Sequence, residues 1–204
     1  MSGRLSLVGV GPGDPELLTL KAARVITAAD VVAYPSTGEE SALAFDIARS
    51  HISATAMLMP VPIPMTPERG PAQAAYDSAA ETLRGHVDFG RSVVWLCEGD
   101  PLFYGSAMYL LARLAGKVTL DIIPGVTSLT AAAAVSARPL AARNETLKIL
   151  PAPLVDDILR RELDGAHAVA IIKVGKHFDR IRTLLEATGH AASAIVVEHA
   201  TTPR

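Results

Sequence analysis

The fold is decided by the stretch Val8-Gly9-Val10-Gly11-Pro12-Gly13-Asp14-Pro15, in which an apolar run passes directly into a glycine-rich turn. Residues 5–10 indicate a buried strand, and the glycines that follow indicate a turn. Asp14 is a good N-cap and Pro15 suits the first position of a helix. The stretch therefore predicts a strand, a tight turn and a helix beginning at Pro15.

The same alternation continues along the chain. Further strands are predicted at residues 31–34, 92–97, 118–123, 147–150, 168–174 and 194–198. Helices are predicted at residues 41–50, 72–83, 105–115, 127–136, 155–163 and 178–188. Five prolines in residues 59–71 predict an extended loop or an edge strand there. The pattern is typical of an α/β protein with a largely parallel sheet, in two domains at residues 1–123 and 124–204.

Composition narrows the class of protein. Half of the 204 residues are hydrophobic and 20% are charged, which is enough to bury a core. Nineteen basic against twenty-one acidic residues leave a net charge of −2, so no nucleic-acid partner is predicted. A single cysteine favours a reducing, cytoplasmic compartment. No apolar run approaches the roughly 18 residues of a membrane span, and the amino terminus does not read as a signal peptide.

Three turns stand at corresponding places after predicted strands. They are Gly13-Asp14-Pro15, Gly99-Asp100-Pro101 and Pro124-Gly125-Val126-Thr127-Ser128. In open α/β sheets, ligands bind beyond the carboxyl ends of the strands. We expect each turn to lead into a helix whose first amides attract a carboxylate or a hydroxyl.

Several common enzyme classes do not fit these motifs. Asp14 stands where the dinucleotide fingerprint needs glycine, and the loop lacks the ending of a phosphate-binding P-loop. There is no serine-hydrolase elbow, and Cys97 is expected at the inward end of a strand. The six histidines lack metal-site spacing, so no metal is predicted. Lys173 and Lys176 flank the end of a predicted strand, where cations could meet an anionic substrate.

These motifs resemble those of the tetrapyrrole methylases, which use S-adenosylmethionine. The resemblance runs from the opening stretch through residues 17–22, 96–106, 124–128, 147–151 and 172–176, and so covers essentially the whole chain. It implies two α/β domains with the cofactor in a cleft between them, usually in a homodimer. Carried over position by position, it implies a cofactor site lined by Pro12, Gly99, Asp100, Phe103, Thr127, Ser128 and Val174.

The resemblance also implies a reaction. Residues 96–106 and 172–176 favour transfer of a methyl group to C20 of precorrin-2, giving precorrin-3A in cobalamin biosynthesis. A base must then take the proton from the methylated carbon, and Glu98 and Tyr34 are the candidates. The substrate carries many carboxylates, so we expect contacts from the basic residues Arg143, Lys173 and Lys176.

Other interpretations stay open at this point. The chain could methylate another tetrapyrrole carbon, cobalt-precorrin-2 or the translation machinery, or it could be a nicotinamide enzyme, although Asp14 argues against the last. It could also bind the cofactor without catalysis. Family members continue past the strand predicted at residues 194–198, so the resemblance predicts a second domain that is incomplete at its carboxyl end.

Overall fold

The structure, a computed structural model, describes residues 3–36, 42–64 and 68–202. It divides into two compact units, one comprising Met1–Ser128 with Thr201–Arg204 and the other Leu129–Ala200. The domain boundary after residue 123 stays a prediction. No helix in the described part of the chain is both long and apolar enough to cross a membrane.

The first unit is built on a parallel sheet that has five strands within the described residues. The strands are β1 (Arg4–Gly9), β2 (Val31–Ser36), β3 (Met57–Pro62), β4 (Ser92–Cys97) and β5 (Leu120–Ile123). Their spatial order is β3-β2-β4-β1-β5, and every pairing is parallel. The carboxyl ends of all five strands therefore meet at one edge, as predicted for an α/β sheet.

Helices cover both faces of this sheet. They are α1 (Leu20–Thr27), α2 (Leu43–Ala48), α3 (Arg69–Asp88) and α4 (Ala107–Leu114), whereas the next helix, α5 (Ser128–Val135), belongs almost entirely to the second unit. On one face the fully buried Trp95 packs with residues of α3 and α4, including Leu83 and Leu110. On the other face Leu96 packs with residues of α1 and α2. Successive strand residues thus serve opposite cores, because side chains alternate across a strand.

The second unit contains a smaller parallel pair within the described residues, β6 (Leu147–Pro151) and β7 (Ala168–Ile172). Two helices follow these strands, α6 (Asp156–Leu163) and α7 (Phe178–Ala187). Their apolar residues form a separate core around Leu150, Leu159 and Leu184. Strands and helices alternate here as the sequence predicts.

The prediction of a helix starting at Pro15 is wrong. Residues Pro15–Leu17 form only a 3-10 turn, closed by the Asp14 carboxylate, which accepts a hydrogen bond from the amide of Glu16 at 2.8 Å. Helix α1 begins at Leu20, where the Thr19 hydroxyl accepts from the Ala22 amide at 3.1 Å. The chain therefore contains two successive caps, and the second one starts the helix.

Two predictions based on proline also need correction. Strand β2 was predicted to stop before Pro35, yet it runs to Ser36. Proline is tolerated there because the ladder with β4 already ends where Ala33 faces Trp95. Residues 59–71 were predicted to form an extended loop or an edge strand, and this is correct for residues 59–62, which belong to the edge strand β3. However, Pro71 lies in the first turn of α3, where a missing amide costs little, and residues 65–67 lie outside the described part.

The strand predicted at residues 194–198 is wrong. This segment follows a 3-10 turn at Ala191–Ser193 and pairs with no strand in the described residues. Ile195 and Val196 are 52% and 62% exposed. An apolar run becomes a strand only where a neighbour offers free main-chain groups, and periodicity cannot supply that neighbour.

Candidate functional site

The carboxyl edge of the first sheet joins the loops after β1 and β4. The amide of Gly11 donates to the carbonyl oxygen of Gly99 at 3.3 Å, and the amide of Gly99 donates to that of Gly11 at 2.8 Å. Both residues have positive φ, +83° at Gly11 and +62° at Gly99. Only glycine adopts this region without strain, so both loops depend on it.

The loop after β5 joins them at a third glycine. A Cβ added to Gly9 would lie 2.6 Å from the carbonyl oxygen of Gly99 and 2.7 Å from the amide nitrogen of Gly125. Real Cβ atoms do not approach main chain so closely, and the neighbours here are main chain that cannot turn aside. The three loops therefore meet with no room for a side chain at Gly9 or Gly125.

The Asp100 carboxylate fixes two of these loops. Its Oδ1 accepts from the amides of Leu102 and Phe103 at 2.9 and 3.1 Å, and its Oδ2 accepts from the amide of Gly125 at 3.1 Å. Pro12, in the loop after β1, is half-buried. Pro12, Gly99 and Asp100, three of the residues predicted to bind cofactor, thus lie on loops that touch each other.

Each of the three turns leads into a helix, as expected, although after the first two turns the helix begins only several residues later. Helix α4 begins only at Ala107, six residues after Pro101. Asp14 and Asp100 instead use their carboxylates to close their own turns, which leaves fewer amides for a ligand. Only the third turn runs straight into a helix, at Ser128.

Aromatic and hydroxyl side chains follow the glycine loops. Phe103 is half-buried, and its ring meets that of Tyr104 edge-on with centroids 5.2 Å apart. Tyr104 is exposed and has a φ of +54°. Thr127 is half-buried and Ser128 is exposed at the start of α5. Apolar rings and hydroxyls thus occur on two of the three loops that carry the glycines, those after β4 and β5.

The two candidate bases differ in their surroundings. Tyr34 is half-buried near the carboxyl end of β2, with its ring stacked on that of Phe45 at a centroid distance of 4.8 Å. Glu98 is exposed directly after β4, beside Gly99. Both therefore lie at the carboxyl edge, although Tyr34 is fixed by packing and Glu98 faces solvent.

Cys97 is the inward end of β4, as predicted. The residue is 2% exposed within the core that contains Trp95. Burial raises the pKa of its thiol far above the usual range. A thiol that stays protonated is not an effective nucleophile, so Cys97 serves packing.

The second unit carries the remaining predicted residues. Val174 follows β7 and packs against the core of its unit, and Lys173 and Lys176 beside it are exposed. Lys173 has a φ of +57° and Gly175 of +33°, so the chain turns sharply here. Arg143 is exposed in the segment before β6. The parallel topology groups the two lysines with Val174 but does not group Arg143 with them.

Comparison with known proteins identifies the family of this chain. The model of the family Tetrapyrrole (Corrin/Porphyrin) Methylases matches residues 4–204. The chain belongs to the tetrapyrrole methylases. The resemblance inferred from the glycine-rich turns is thereby confirmed.

Two curated tetrapyrrole methylase relatives cover almost all of this chain. It is 42% identical over 99% of its length to cobalamin biosynthesis protein CobIJ of Mycobacterium tuberculosis, of which it spans only 42%. It is 36% identical over 98% of its length to precorrin-2 C(20)-methyltransferase of a Sinorhizobium species, of which it spans 84%.

A solved structure shares the tetrapyrrole methylase fold. Uroporphyrin-III C-methyl transferase from Thermus thermophilus, complexed with S-adenyl homocysteine, is 27% identical with a TM-score of 0.70. The match covers 99% of this chain and 85% of that one. The predicted α/β fold is therefore confirmed.

Two contacts in this tetrapyrrole methylase do not follow from the sequence pattern. The amide of Asp14 donates to the Thr201 hydroxyl at 3.2 Å, across 187 residues of chain. In the second unit, Arg180 of α7 donates to the main-chain carbonyls of Ala152 and Leu154 and pairs with Asp156. Neither set of contacts could be predicted from the spacing of residues in the sequence, because each joins residues that are far apart along the chain.

Proposed function

We propose that this chain is an S-adenosylmethionine-dependent methyltransferase that methylates C20 of precorrin-2 to give precorrin-3A in cobalamin biosynthesis. The observation that carries the proposal is the relative named precorrin-2 C(20)-methyltransferase, which is 36% identical over 98% of this chain. The chain spans 84% of that relative, whereas it spans less than half of the CobIJ relative. The glycine-lined carboxyl edge supports the proposal by supplying a ligand site of suitable chemistry.

The residues at that edge fit S-adenosylmethionine. Space is open beside Gly99, because a Cβ added there would meet only the carbonyl oxygen of Val126, at 3.8 Å. A ligand can thus approach the main chain, while the half-buried Phe103 offers apolar cover for an adenine. The residues that we propose to form the cofactor site, by contact or by shaping its loops, are Pro12, Gly99, Asp100, Phe103, Thr127, Ser128 and Val174.

The protein would act mainly by positioning. When bound, S-adenosylmethionine supplies a methyl group on a good leaving group, the sulfonium sulfur. Fixed main-chain loops at Gly11, Gly99 and Gly125 are suited to hold reactants in place, since glycine turns locked by hydrogen bonds and close packing move little. Correct placement of two reactants supplies up to roughly 7–11 kcal/mol of a barrier.

Proton removal from the methylated carbon needs a base from the chain. Glu98 is exposed at the edge and can accept a proton as a carboxylate. Tyr34 has a ring held by Phe45, so its hydroxyl is the better oriented of the two. We propose these residues as alternatives for one role.

The carboxylates of the substrate call for cations. Lys173 and Lys176 are exposed, and neither forms an ion pair with a carboxylate in the described part of the chain. Arg143 is likewise without such a partner among the described residues. Cations that are not engaged elsewhere can pair with an anionic ligand without first breaking an internal contact. We propose all three for substrate binding.

Assembly and location are further parts of the proposal. The family resemblance supports a homodimer of two-domain subunits, with precorrin-2 as the partner molecule. The reduced Cys97, buried in the core, is consistent with a cytoplasmic setting.

Two measurements test the proposal. Calorimetric titration with S-adenosylhomocysteine, beside NAD as a control, should show binding of the former alone. Mass spectrometry should then show transfer of one methyl group from S-adenosylmethionine to precorrin-2, with cobalt-precorrin-2 assayed in parallel. Cofactor binding without transfer to either substrate would indicate a non-catalytic binding module, and absence of binding would contradict the cofactor assignment.

A further inference from the structure

The Asp100 carboxylate is largely occupied by hydrogen bonds from main-chain amides, which leaves it little capacity to bind a ligand. Its two oxygens accept three such hydrogen bonds, from Leu102, Phe103 and Gly125, at 2.9 to 3.1 Å. A carboxylate has about four acceptor sites, so most of this capacity is already used inside the protein. The protein's own amides therefore solvate the negative charge.

The bond to Gly125 joins strands that are not neighbours. Asp100 follows β4 and Gly125 follows β5, and β1 lies between these two strands in the sheet. The sheet's own ladder cannot hold the two loops together, because β4 and β5 do not pair with each other. The side chain of Asp100 makes that connection, past the end of β1.

The glycines at this point show that the connection is close. A Cβ on Gly125 would lie 2.1 Å from the carbonyl oxygen of Gly99 and 2.9 Å from the Cα atom of Gly9. Gly9 is the last residue of β1, over which the connection passes. A small displacement of the loop after β5 would therefore change the main-chain surface of all three loops.

We infer that Asp100 is a positioning residue for the cofactor site, whose carboxylate locks the loops after β4 and β5 against each other and does not itself hold the ligand. This inference rests on the proposed function and refines the role of one residue in it. Both Phe103 and Thr127 are proposed to line the site; Phe103 carries one of the locked amides, and Thr127 stands two residues after the locked amide of Gly125. Ligand affinity then depends on Asp100 through the placement of these groups.

The test compares two matched variants. Asp100→Asn keeps the shape and can still accept from Leu102 and Phe103, but it turns a donor toward the Gly125 amide. Asp30→Asn is the control, because the Asp30 carboxylate accepts from the Ser92 amide at 2.8 Å at the opposite edge of the same sheet. Both variants lose the negative charge, but Asn at position 30 can still present its amide oxygen to Ser92, whereas Asn at position 100 cannot serve both sets of amides, so only Asp100→Asn should lower the melting temperature markedly.

The two variants should also differ in ligand binding. Asp100→Asn should weaken S-adenosylhomocysteine binding about tenfold, as loss of one charge-assisted bond implies, and Asp30→Asn should not weaken it. S-adenosylmethionine carries a positive sulfonium and S-adenosylhomocysteine a neutral sulfur. Positioning predicts equal weakening for both ligands in Asp100→Asn, whereas a larger loss for the cationic ligand would mean direct contact and overturn the inference.

Amide hydrogen exchange tests the same inference without ligand. In the wild-type protein the amides of Leu102, Phe103 and Gly125 should be protected, and in Asp100→Asn the Gly125 amide should exchange faster. Should that variant not fold, Asp100→Ser replaces it, since its shorter hydroxyl can serve the nearby amides but does not reach Gly125. An unprotected Gly125 amide in the wild type would overturn the inference, whereas a wild type that binds neither ligand would contradict the proposed function instead.

Discussion

A Cβ atom placed on Gly125 would lie 2.1 Å from the carbonyl oxygen of Gly99. The two residues lie in the loops after β5 and β4, two strands that are separated in the sheet by β1. This approach is possible only because Gly125 lacks a side chain, whereas Gly99 is required for its φ of +62°. Three loops can thereby form one main-chain surface at the carboxyl edge of the first sheet. The glycine-rich turns of the sequence are required by this packing as much as by any ligand.

The first prediction concerns that packing. Gly125→Ala should lower the free energy of unfolding by a few kcal/mol and abolish binding of S-adenosylhomocysteine, because the new methyl overlaps main chain. Gly85→Ala is the control, since a Cβ there meets nothing within 4 Å inside α3. The control should be stabilised by about 0.5–1 kcal/mol and should bind normally. Chemical denaturation and calorimetry measure both effects, and normal binding by Gly125→Ala would contradict the close contact.

The second prediction concerns substrate charge. Changing Lys173, Lys176 or Arg143 to glutamate should raise KM for precorrin-2 far more than it lowers kcat, because the lost attraction acts on binding. Arg160→Glu is the control, as Arg160 is exposed on α6 and makes no ion pair with a described carboxylate. Steady-state kinetics separate the two parameters. An unchanged KM in all three variants would remove these residues from the substrate site.

The third prediction concerns alkaline stability. Burial raises the pKa of Cys97, so the thiol stays protonated in the folded chain and ionises near pH 8.5 in the unfolded one. Stability from this group is complete below the unfolded pKa and is lost as pH rises, by up to about 1.4 kcal/mol per pH unit. The stability of Cys97→Ala should not fall in this way between about pH 7 and 9.5, and any other difference in stability from the wild type should be the same at every pH.

The ionisation of Tyr76 limits the pH range in which the effect of Cys97 can be measured. The pKa of Tyr76 is also raised, mainly by burial and against a lowering hydrogen bond from Ser106, so it contributes in the same direction at higher pH. Denaturant titrations of wild type and Cys97→Ala at several pH values measure the difference. Parallel pH profiles for the two proteins would show that the thiol ionises equally in both states.

The fourth prediction concerns the segment that returns to the first unit. Thr201→Val removes the acceptor for the Asp14 amide and should cost about 0.5–1.5 kcal/mol of stability. Thr183→Val is the control, because the exposed Thr183 hydroxyl donates only to the carbonyl of Asp179 within α7. We expect the control to change stability by a few tenths of a kcal/mol. Equal effects in the two variants would mean that the Asp14 contact contributes nothing.

The sequence predicts individual elements of this fold better than it predicts their arrangement. Residues 92–97 were predicted as a strand and form β4 with those bounds, since a short apolar run between polar residues favours a buried strand of that length. Residues 194–198 carry a similar pattern and form no strand, because pairing depends on a neighbour that periodicity does not contain. Local composition determines the tendency, and the fold determines the partner.

In the candidate site, too, the local features could be predicted from the sequence and the contacts between distant segments could not. The Gly-Asp-Pro turns are visible in the sequence, and Asp14 and Asp100 do close local turns. The bond from Asp100 to Gly125 spans 25 residues and requires the strand order, which the sequence does not reveal. The Thr201 contact depends likewise on the path of the chain after the second unit. Local caps were therefore predictable, and the links between loops were not.

The proposed reaction is tested by the position of the transferred carbon. Precorrin-2 would be incubated with this protein and S-adenosylmethionine labelled with carbon-13 in its methyl group, and the product examined by carbon NMR. We predict one new methyl signal whose couplings assign it to C20. A label at another ring carbon, or S-adenosylhomocysteine binding without any labelled product, would contradict C20 methylation by this chain.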